Sequence, residues 1–467
     1  MKFSVEKIVF GKVELWVLVL VLFFALLGAY LFGWIAWRTG KYGGDHPNRF
    51  GASVLVEKMM KLPEMLGDIY KYGLEFDDQG RLVSKFGRFK ESQYPVGYHR
   101  IDEGFHDDGY LLVGAFDEEQ NGTVTYLYDL KEGKKLWKWA PQTSQIPQKK
   151  DLTATEVGQY TSSDFMAQHS YLLEDGRVLT SASYGPLVML KPSGDVEWAL
   201  PEVYHHTIER MADGNFLVVK QLDSGDDHFA DDGYAIVSPE GELLEERSVR
   251  DILERHGYSG LLYGTRVWKE DGIHLNDAEP ILESDEYVKE GDIALSCRNI
   301  STVFLYRPSE DKIVWLKTGP WLNQHDVDYL GDGVFSIFDN AAILGESTMD
   351  KRFTENFHNG NPYSKIRLYD MKDDSLSVLY EDVFSENKFY THTEGLHRIL
   401  DNGDAFVELT NEYTLFRLGP DGVRWSYVQG IYDDETAASL HWCRYLTRDE
   451  VDLSWMEEAR SPEEPAP

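Results

Sequence analysis

Residues 332–339 read Asp-Gly-Val-Phe-Ser-Ile-Phe-Asp, a turn dipeptide followed at once by a short apolar strand. The same pattern begins at five other places: Asp108-Gly109, Asp175-Gly176, Asp213-Gly214, Glu290-Gly291 and Asn402-Gly403. Asp-Gly and Asn-Gly between apolar stretches are strong hairpin signals, because both residues tolerate positive φ angles. One or two further strands, several bearing a tryptophan, follow each copy. Six copies of a three- or four-stranded unit predict an all-β fold, a six-bladed β-propeller, with a pair of β-sandwiches as the alternative.

The composition excludes several classes of protein. The 467 residues carry 46 Lys and Arg against 80 Asp and Glu, a net charge of −34. Nucleic-acid binding depends on neutralising phosphates with basic residues, so no nucleic-acid partner is expected. Apolar residues make up 42 % of the chain, too many for a disordered acidic protein. Two cysteines, Cys297 and Cys443, cannot build a disulfide scaffold.

The N-terminal region contains one long apolar run. Residues 15–37 include no charged side chain, and 23 residues at helical rise cross a hydrocarbon core of about 30 Å. We interpret the run as an uncleaved, single transmembrane helix that precedes the propeller. Three basic residues lie close to each end of it, so charge does not decide its orientation.

The predicted organisation has five parts. They are an N-terminal tail (1–14), the transmembrane anchor (15–37), a connector (38–94), the propeller (95–445) and an acidic, Pro-rich C-terminal tail (446–467).

Four histidines recur at a similar place in the repeat. His169, His206 and His325 lie seven or eight residues before the turn glycine of their unit, and His397 lies six before. The first strand of each propeller blade lines the central channel, so we expect these imidazoles to converge on the axis. The alternative is that each one caps a strand or satisfies a buried carbonyl group.

Converging imidazoles suit two kinds of chemistry. One is metal binding, which nearby carboxylates such as Asp326 and Glu279 would complete. The other is nucleophilic catalysis, in which a neutral imidazole attacks an electrophile. Arg298 and Asn276 are candidate donors for a tetrahedral anion such as sulfate or phosphate. From the residues alone, both transfer and binding of such an anion stay open.

Three segments, in this order, resemble the bacterial arylsulfate sulfotransferase family over roughly residues 95–430. They are His205-His206-Thr-Ile-Glu-Arg-Met-Ala-Asp-Gly-Asn, His274-Leu-Asn276 with the later Gly-Asp-Ile-Ala-Leu-Ser-Cys-Arg-Asn, and residues 323–340. The resemblance implies a six-bladed propeller in the periplasm. It also implies transfer of a sulfuryl group from an aryl sulfate to a phenol, without a cofactor, a metal or a nucleotide sulfate.

The resemblance assigns a role to individual residues. His325 matches the nucleophile that becomes sulfated, and His274 and Arg298 match residues that hold the sulfuryl oxygens and assist the leaving phenol. His206 matches a further catalytic histidine. Three residues are predicted to bind substrate: Asn276, His205 and Asn340. His205 is also the alternative to His206 as the site histidine, and Ala341 stands where the family has glycine.

We therefore predict a sulfotransferase with a ping-pong mechanism through a sulfohistidine. It would lie in the bacterial inner membrane with its propeller in the periplasm. The expected partners are a small aryl sulfate, a phenol and the membrane, with a homo-oligomer or a membrane complex as further options. The alternative function is a non-catalytic, membrane-anchored propeller that binds an anion or a polysaccharide or acts as a scaffold. A metal-dependent hydrolase ranks third.

Overall fold

A computed structural model describes residues 15–42, 75–76, 82–83, 89–120, 122–146, 165–223, 230–264, 271–342, 363–431 and 433–460. Contacts divide the chain into two compact units: Met1–Glu75 with Ser84–Phe86, and Phe76–Val83 with Gly87–Pro467. The predicted N-terminal tail (1–14), most of the predicted connector and residues 461–467 lie outside the described residues.

The apolar run of the first unit is helical. Helix α1 (Leu15–Tyr42) contains all of it, and large apolar side chains such as Phe23, Leu26 and Tyr30 are exposed. Among the residues that the structure describes, no helix meets the length and apolarity that a membrane crossing requires. The transmembrane anchor stays a prediction.

The second unit consists of antiparallel sheets whose strands follow one another along the chain. Blade 1 contains β29 (Arg444–Leu446), β5 (Tyr110–Asp117), β6 (Gly122–Asp129) and β7 (Lys134–Trp139). Blades 2 and 3 form one seven-stranded sheet of β8 (Ala167–Leu172), β9 (Val178–Ala182), β10 (Gly185–Leu190), β11 (Val196–Arg210), β12 (Phe216–Leu222), β13 (Asp231–Val237) and β14 (Leu243–Ser248). Blade 4 contains β15 (Leu275–Pro280), β16 (Ile293–Cys297), β17 (Thr302–Arg307) and β18 (Lys312–Thr318).

The remaining strands complete the ring and its edges. Blade 5 contains β19 (Val327–Gly331), β20 (Val334–Asp339), β21 (Lys365–Asp370) and β22 (Ser375–Leu379). Blade 6 contains β23 (Leu396–Ile399), β24 (Ala405–Leu409), β25 (Thr414–Gly419), β26 (Gly422–Val428) and the edge strand β4 (Gly97–Arg100). One small sheet pairs β1 (Glu75–Phe76) with β2 (Leu82–Val83). In a second one, β28 (Asp433–Ala438) lies between β3 (Phe89–Glu91) and β27 (Gly430–Ile431). The further helices are α2 (Val249–Arg255), α3 (Ser259–Tyr263), α4 (Glu381–Asn387) and α5 (Trp455–Arg460).

The long strand β11 belongs to two blades. Its first part pairs with β10, as in Val196 opposite Leu190, and its last part pairs with β12, as in Ile208 opposite Val218. The register shifts between Tyr204 and Ile208. If β11 is divided at this shift, the seven-stranded sheet becomes two four-stranded meanders. The five large sheets then contain six such meanders. The predicted all-β propeller fold is confirmed.

The apolar core lies between successive blades rather than in one central layer. Six clusters of buried apolar side chains each combine residues of two neighbouring blades, and one of them joins blade 6 to blade 1. Leu415 of blade 6 and Leu111 of blade 1 belong to that closing cluster. Because each sheet packs against both of its neighbours, the six blades hold one another together in a closed ring.

Glycine recurs at the six turns for a conformational or a steric reason. Five of the six adopt positive φ angles, between 81° at Gly333 and 87° at Gly214, as the hairpin signal requires. Gly109 is the exception, and the reason for glycine there is space, since a Cβ atom would collide with the hydroxyl group of Tyr445.

The C-terminal boundary of the prediction needs correction. Strand β29 crosses residue 445 and supplies the first strand of blade 1, so the propeller is closed by the end of the chain. Beyond it, Trp455 of α5 is buried against Trp139. Residues up to Arg460 therefore pack on the propeller, and only residues 461–467 retain the description of an acidic tail.

Candidate functional site

Each inner strand begins at or near a residue with a left-handed backbone. These residues come one from each blade: His169 (φ 44°), His206 (58°), His274 (52°), Asn323 (51°), Glu394 (60°) and Trp442 (54°). Positive φ is uncommon outside glycine and costs about 1–3 kcal/mol per residue, and such strain concentrates at functional sites. The sixfold recurrence marks this end of the inner strands as the candidate site.

Three of the predicted histidines meet at this end. The ring centroids of His206 and His274 are 5.2 Å apart, and those of His206 and His325 are 6.2 Å apart. All three side chains are buried. Strands of blades 3, 4 and 5 thus bring together residues that are up to 119 positions apart in the sequence (325 − 206).

The protonation of His325 follows from its two partners. Its Nδ1 lies 2.7 Å from Asn340 Oδ1, and its Nε2 lies 2.9 Å from the backbone N–H of Glu394. The Asn340 amide is oriented by its Nδ2, which donates to the carbonyl oxygens of Thr391 and Glu394. An amide oxygen only accepts and a backbone N–H only donates, so the imidazole is neutral, with its proton on Nδ1.

Burial and charge hold His325 in that neutral state. Burial, followed by the positive charge of Arg298, keeps the pKa of His325 well below its ordinary value. Burial and the neighbouring His205 likewise keep the pKa of His206 well below its ordinary value. Neutral imidazoles carry a lone pair, which is what a nucleophile or a base needs.

His274 is paired with a carboxylate. Its Nδ1 contacts Asp271 Oδ2, and its Nε2 lies 3.5 Å from the hydroxyl group of Tyr184. Burial lowers the pKa of His274 although Asp271 opposes the shift. With the Nδ1 proton directed to the carboxylate, Nε2 is the accepting nitrogen and faces a phenolic hydroxyl group.

Arg298 supplies the positive charge of the site. It follows β16 in the short 3₁₀ turn Arg298–Ile300, its Nε donates to Asn299 Oδ1 (3.1 Å), and a terminal nitrogen lies 3.8 Å from Asp271. The side chain is only 15 % exposed. A largely buried guanidinium among neutral imidazoles favours an anionic ligand.

The two histidines of the doublet have different surroundings. His205 stacks on Tyr184 with ring centroids 4.7 Å apart, and its Nε2 lies 3.4 Å from Asp232 Oδ1. His206 is the member whose ring lies near both His274 and His325. The two Nδ1 atoms are 2.6 Å apart, so His205 supports His206 directly.

The two predicted asparagines act on protein groups. Asn276 is fully buried, and its Nδ2 donates to the carbonyl oxygen of Gln324 (2.8 Å), the residue before His325. The Oδ1 and Nδ2 atoms of Asn340 both have protein partners. Asn340 contacts His325 directly, and Asn276 contacts the residue before it, while the Oδ1 of Asn276 is buried without a hydrogen-bond partner. The predicted contact of both residues with substrate stays a prediction.

His169 and His397 do not join the histidine cluster. The Nδ1 of His169 accepts the backbone N–H of Ile208 (3.1 Å) and so links blade 2 to blade 3. On blade 6 the left-handed position is taken by Glu394, three residues before His397. The six-residue spacing of His397 from its turn glycine, against seven or eight elsewhere, was the available signal of this difference.

Sequence reasoning missed four residues of the site. Asp271, Tyr184 and Glu394 come from loops that share no motif with the repeat. Trp442, whose ring lies 5.3 Å from that of His206, belongs to blade 1 but comes from the end of the chain. Both cysteines, Cys297 and Cys443, are free and buried.

Comparison with solved structures finds only distant similarity. A protein of unknown function from Bacteroides caccae is 11 % identical with a TM-score of 0.44, covering 73 % of this chain and 99 % of its own. Virginiamycin B lyase from Staphylococcus aureus is 9 % identical with a TM-score of 0.37, covering 73 % and 90 %. The WD40 β-propeller domain of Doa1 is 11 % identical with a TM-score of 0.38, covering 82 % and 99 %. All three scores are below 0.5, so the strand pairing, and not these likenesses, establishes the fold.

Sequence comparison is more specific. No curated protein sequence gives a significant match to this chain. The family model described as arylsulfotransferase (ASST) matches residues 169–429, which include the histidine cluster, Arg298 and Asn340. The match spans more than half of the 467 residues. This chain therefore belongs to the arylsulfotransferase family.

Proposed function

We propose that this protein transfers a sulfuryl group from an aryl sulfate to a phenol in two steps, through a sulfated His325. The observation that carries the proposal is the tautomer of His325. Its proton is on Nδ1, held by Asn340, and the lone pair of the nucleophile is on Nε2. Membership of the arylsulfotransferase family supports the reaction class.

In the first step, the Nε2 lone pair of His325 attacks sulfur. The N–S bond forms as the bond between sulfur and the aryl oxygen breaks, and that oxygen leaves with the electron pair as an aryl oxide. The guanidinium of Arg298 offsets the charge on the sulfuryl and leaving oxygens, and each well-placed donor contributes about 10²–10³ in rate. The sulfated ring keeps its Nδ1 proton and is cationic, so the acceptor Asn340 Oδ1 stabilises it.

In the second step, a phenol takes the place of the aryl oxide. His274 is the base in this proposal, because its Nε2 already lies 3.5 Å from a phenolic hydroxyl group, that of Tyr184. His274 Nε2 accepts the proton of the phenol while the phenol oxygen attacks sulfur and the N–S bond breaks. His325 returns to its neutral form, and the proton on His274 passes to the departed aryl oxide through solvent.

The backbone of Glu394 has to move for this chemistry to occur. Its N–H donates to Nε2 of His325 at 2.9 Å and so occupies the lone pair that attacks. The neighbouring Gly395 has a φ of 111°, and a glycine allows such a change of backbone at low cost. Once sulfur is bound to Nε2, the same N–H faces the sulfuryl oxygens as a donor.

We also propose that α1 anchors the protein in the bacterial inner membrane with the propeller in the periplasm. The uncharged run of 23 residues and the exposed apolar side chains of α1 support the anchor. Alkaline carbonate extraction of membranes tests the anchor, and protease protection in spheroplasts tests the side. Release of the full chain by carbonate would contradict the anchor. Protection from external protease would contradict the periplasmic placement.

The decisive experiment looks for the covalent intermediate. The full-length chain is incubated with a chromogenic aryl sulfate, quenched at alkaline pH and analysed by peptide mass spectrometry. We expect one sulfuryl group on the peptide that contains His325, no label in His325→Ala, and loss of label when a phenol is added. His256→Ala is the matched control, because this histidine is on a helix cap away from the cluster and should leave labelling intact. A folded protein that takes no label from a broad panel of aryl sulfates contradicts the proposal and favours an anion-binding propeller.

A further inference from the structure

Trp442 is the only tryptophan among the six residues with a left-handed backbone that begin the inner strands. Its ring centroid lies 5.3 Å from that of His206 and 6.3 Å from that of His325. The residue is only 1 % exposed. The indole therefore forms the side of the histidine cluster that belongs to blade 1.

The indole N–H of Trp442 is buried and has no hydrogen-bond partner among the residues that the structure describes. Five other indole groups of the propeller each donate to an acceptor: those of Trp137, Trp139, Trp198, Trp315 and Trp425. The imidazoles that meet the Trp442 ring edge-on offer at most a weak N–H···π contact. An indole nitrogen can only donate, and a buried donor without an acceptor is destabilising. The histidine cluster thus retains a donor that the protein itself does not satisfy.

A buried carboxylate of blade 6 holds the backbone of Trp442. Glu408 Oε1 accepts the backbone N–H of Trp442 at 3.1 Å, and its Oε2 accepts that of Cys443 at 2.6 Å. The hydroxyl group of Thr410 also donates to Glu408 Oε1, at 2.8 Å. Because Glu408 is 0 % exposed and comes from a neighbouring blade, these bonds fix the backbone that carries the indole. The donor without a partner therefore belongs to a well-anchored part of the ring.

We propose that the indole N–H of Trp442 donates to a sulfuryl oxygen, first on the bound sulfate ester and then on sulfated His325. This inference rests on the function proposed above and adds a second side-chain donor to Arg298. An indole is neutral and keeps its proton, so it stabilises the charge on the oxygens without entering the proton transfers. Arg298 belongs to blade 4 and Trp442 to blade 1, on opposite sides of the ring, so the two donors can hold different oxygens. Trp442 lies beyond residues 169–429, so family membership does not assign it this role.

The first measurement follows the indole N–H itself by NMR in the full-length chain. Labelling tryptophan with ¹⁵N gives one indole signal per residue, and Trp442→Phe identifies the signal of Trp442. Inorganic sulfate is the probe, because it presents the same oxygens and has no aryl group to lose. We expect sulfate to move the Trp442 proton signal to higher frequency, as a new hydrogen bond does. The signal of Trp455 should stay in place, because its indole N–H is also buried without a partner in the described chain but lies on α5 against Trp139.

The second measurement is the rate of aryl oxide release from a chromogenic aryl sulfate. Trp442→Phe keeps an aromatic ring and removes the N–H, and kcat/KM for the donor should fall about 10–100-fold, as for the loss of a hydrogen bond to a charged group. Trp455→Phe is the matched control, because it deletes an equally unpartnered indole N–H away from the histidines. It should keep wild-type kinetics. Circular dichroism and the melting temperature show whether each variant is folded.

The two measurements separate this inference from the proposed function. A Trp442 signal that moves with sulfate supports the donor even if His325 is never sulfated, a result that would contradict the transfer reaction alone. A sulfated His325 together with a Trp442 signal that responds neither to sulfate nor to the aryl sulfate overturns the donor and leaves the reaction in place. Wild-type kcat/KM in a folded Trp442→Phe also overturns it. If this variant does not fold, the response of the wild-type signal, assigned from the spectrum of the wild type itself, decides.

Discussion

The imidazole of His325 donates from Nδ1 to the amide oxygen of Asn340 over 2.7 Å, and this hydrogen bond, with the Glu394 N–H on Nε2, leaves the lone pair on Nε2. His325 precedes β19, and Asn340 directly follows β20, the next strand of blade 5. Asn340 is itself fixed by two carbonyl oxygens, so its amide cannot turn to offer a donor instead. In the proposed transfer, this tautomer presents the lone pair of Nε2 to sulfur.

Asn340→Ala should therefore impair chemistry more than binding. Without the acceptor, only the Glu394 N–H favours a lone pair on Nε2, and in the proposed reaction that N–H moves away before the attack. His325 then populates more of the tautomer with the proton on Nε2, which has no lone pair for sulfur. A loss of orientation and tautomer of this kind lowers kcat by about 10²–10⁴, with a smaller change in KM. Steady-state kinetics with an aryl sulfate measure both constants. Asn215→Ala, at an exposed turn, is the control and should keep wild-type kcat; an unchanged kcat in Asn340→Ala contradicts the role of the hydrogen bond.

The first step should stay active in mildly acidic solution. The pKa of His325 is well below its ordinary value, so the ring remains neutral below pH 6.5, where an ordinary histidine would be protonated and unable to attack. The single-turnover rate of aryl oxide release should be flat through pH 6.5 and decline only at clearly lower pH. Half-loss of the rate near pH 6.5 would show that burial and Arg298 do not depress the pKa as described.

Glu394 should make the affinity for the anionic donor depend on pH. Burial and the nearby Glu408 raise the pKa of Glu394 to about 7, against the opposing effect of Arg298. Below that pH the carboxyl is neutral; above it, a carboxylate adds negative charge close to Arg298 and repels the sulfate ester. KM for the aryl sulfate should therefore rise as pH passes upward through about 7.

Glu394→Gln separates this effect from the other titrations. The glutamine cannot ionise, so KM should keep its low-pH value at pH 8, while kcat changes little because the backbone N–H is retained. KM profiles of the wild type and the variant from pH 6 to 8 provide the measurement. Parallel profiles in the two proteins would assign the pH dependence to another group.

Closure of the ring should depend on one buried ion pair. Asp107, ahead of β5, accepts hydrogen bonds from Arg417 of blade 6 (2.8 Å), from Tyr445 of β29 (2.7 Å) and from Trp425. Arg417 keeps its ion pair with Asp404 (3.0 Å), but Asp107→Ala removes the common acceptor of three buried donors. Each buried donor left without a partner costs about 1–3 kcal/mol, so the free energy of unfolding should fall by about 3–5 kcal/mol. Glu197→Ala removes the partner of Arg177 in a more exposed pair and should cost less than about 1 kcal/mol. Urea unfolding measures the loss of unfolding free energy in both variants. Equal losses would show that the closing contact stabilises the ring no more than an exposed ion pair does.

The repeat could be predicted from the sequence because its turn and strand signals are local. Asp-Gly and Asn-Gly turns followed by apolar stretches depend on the φ angles and the burial of consecutive residues, so they identify hairpins without reference to the rest of the chain. The same locality explains the error at the C-terminus. Whether residues 444–446 start a tail or complete blade 1 depends on a partner more than 300 positions away, Leu112 opposite Arg444.

Site residues were predictable where they belong to the repeated strands. His206 and His325 follow from their register in the repeat, Arg298 was a candidate from its place at the end of β16, and His274 was assigned only through the family resemblance. Tyr184, Asp271 and Glu394 were not predictable, since they lie in loops of differing length. The hydrogen bond between Asn340 and His325 could not be predicted either, because a sequence does not tell whether an amide faces a ligand or a neighbouring imidazole.

The sequence by itself determined the secondary structure, the propeller class and which histidines share a register, because these depend on turn chemistry and on the alternation of apolar residues. Only the tertiary structure decided which blade neighbours which chain end, which tautomer His325 adopts, and that His397 faces carboxylates instead of the histidine cluster. Those properties arise from contacts between distant strands in a buried, weakly screened interior, where a shift of three residues along a strand changes the partners of a side chain completely.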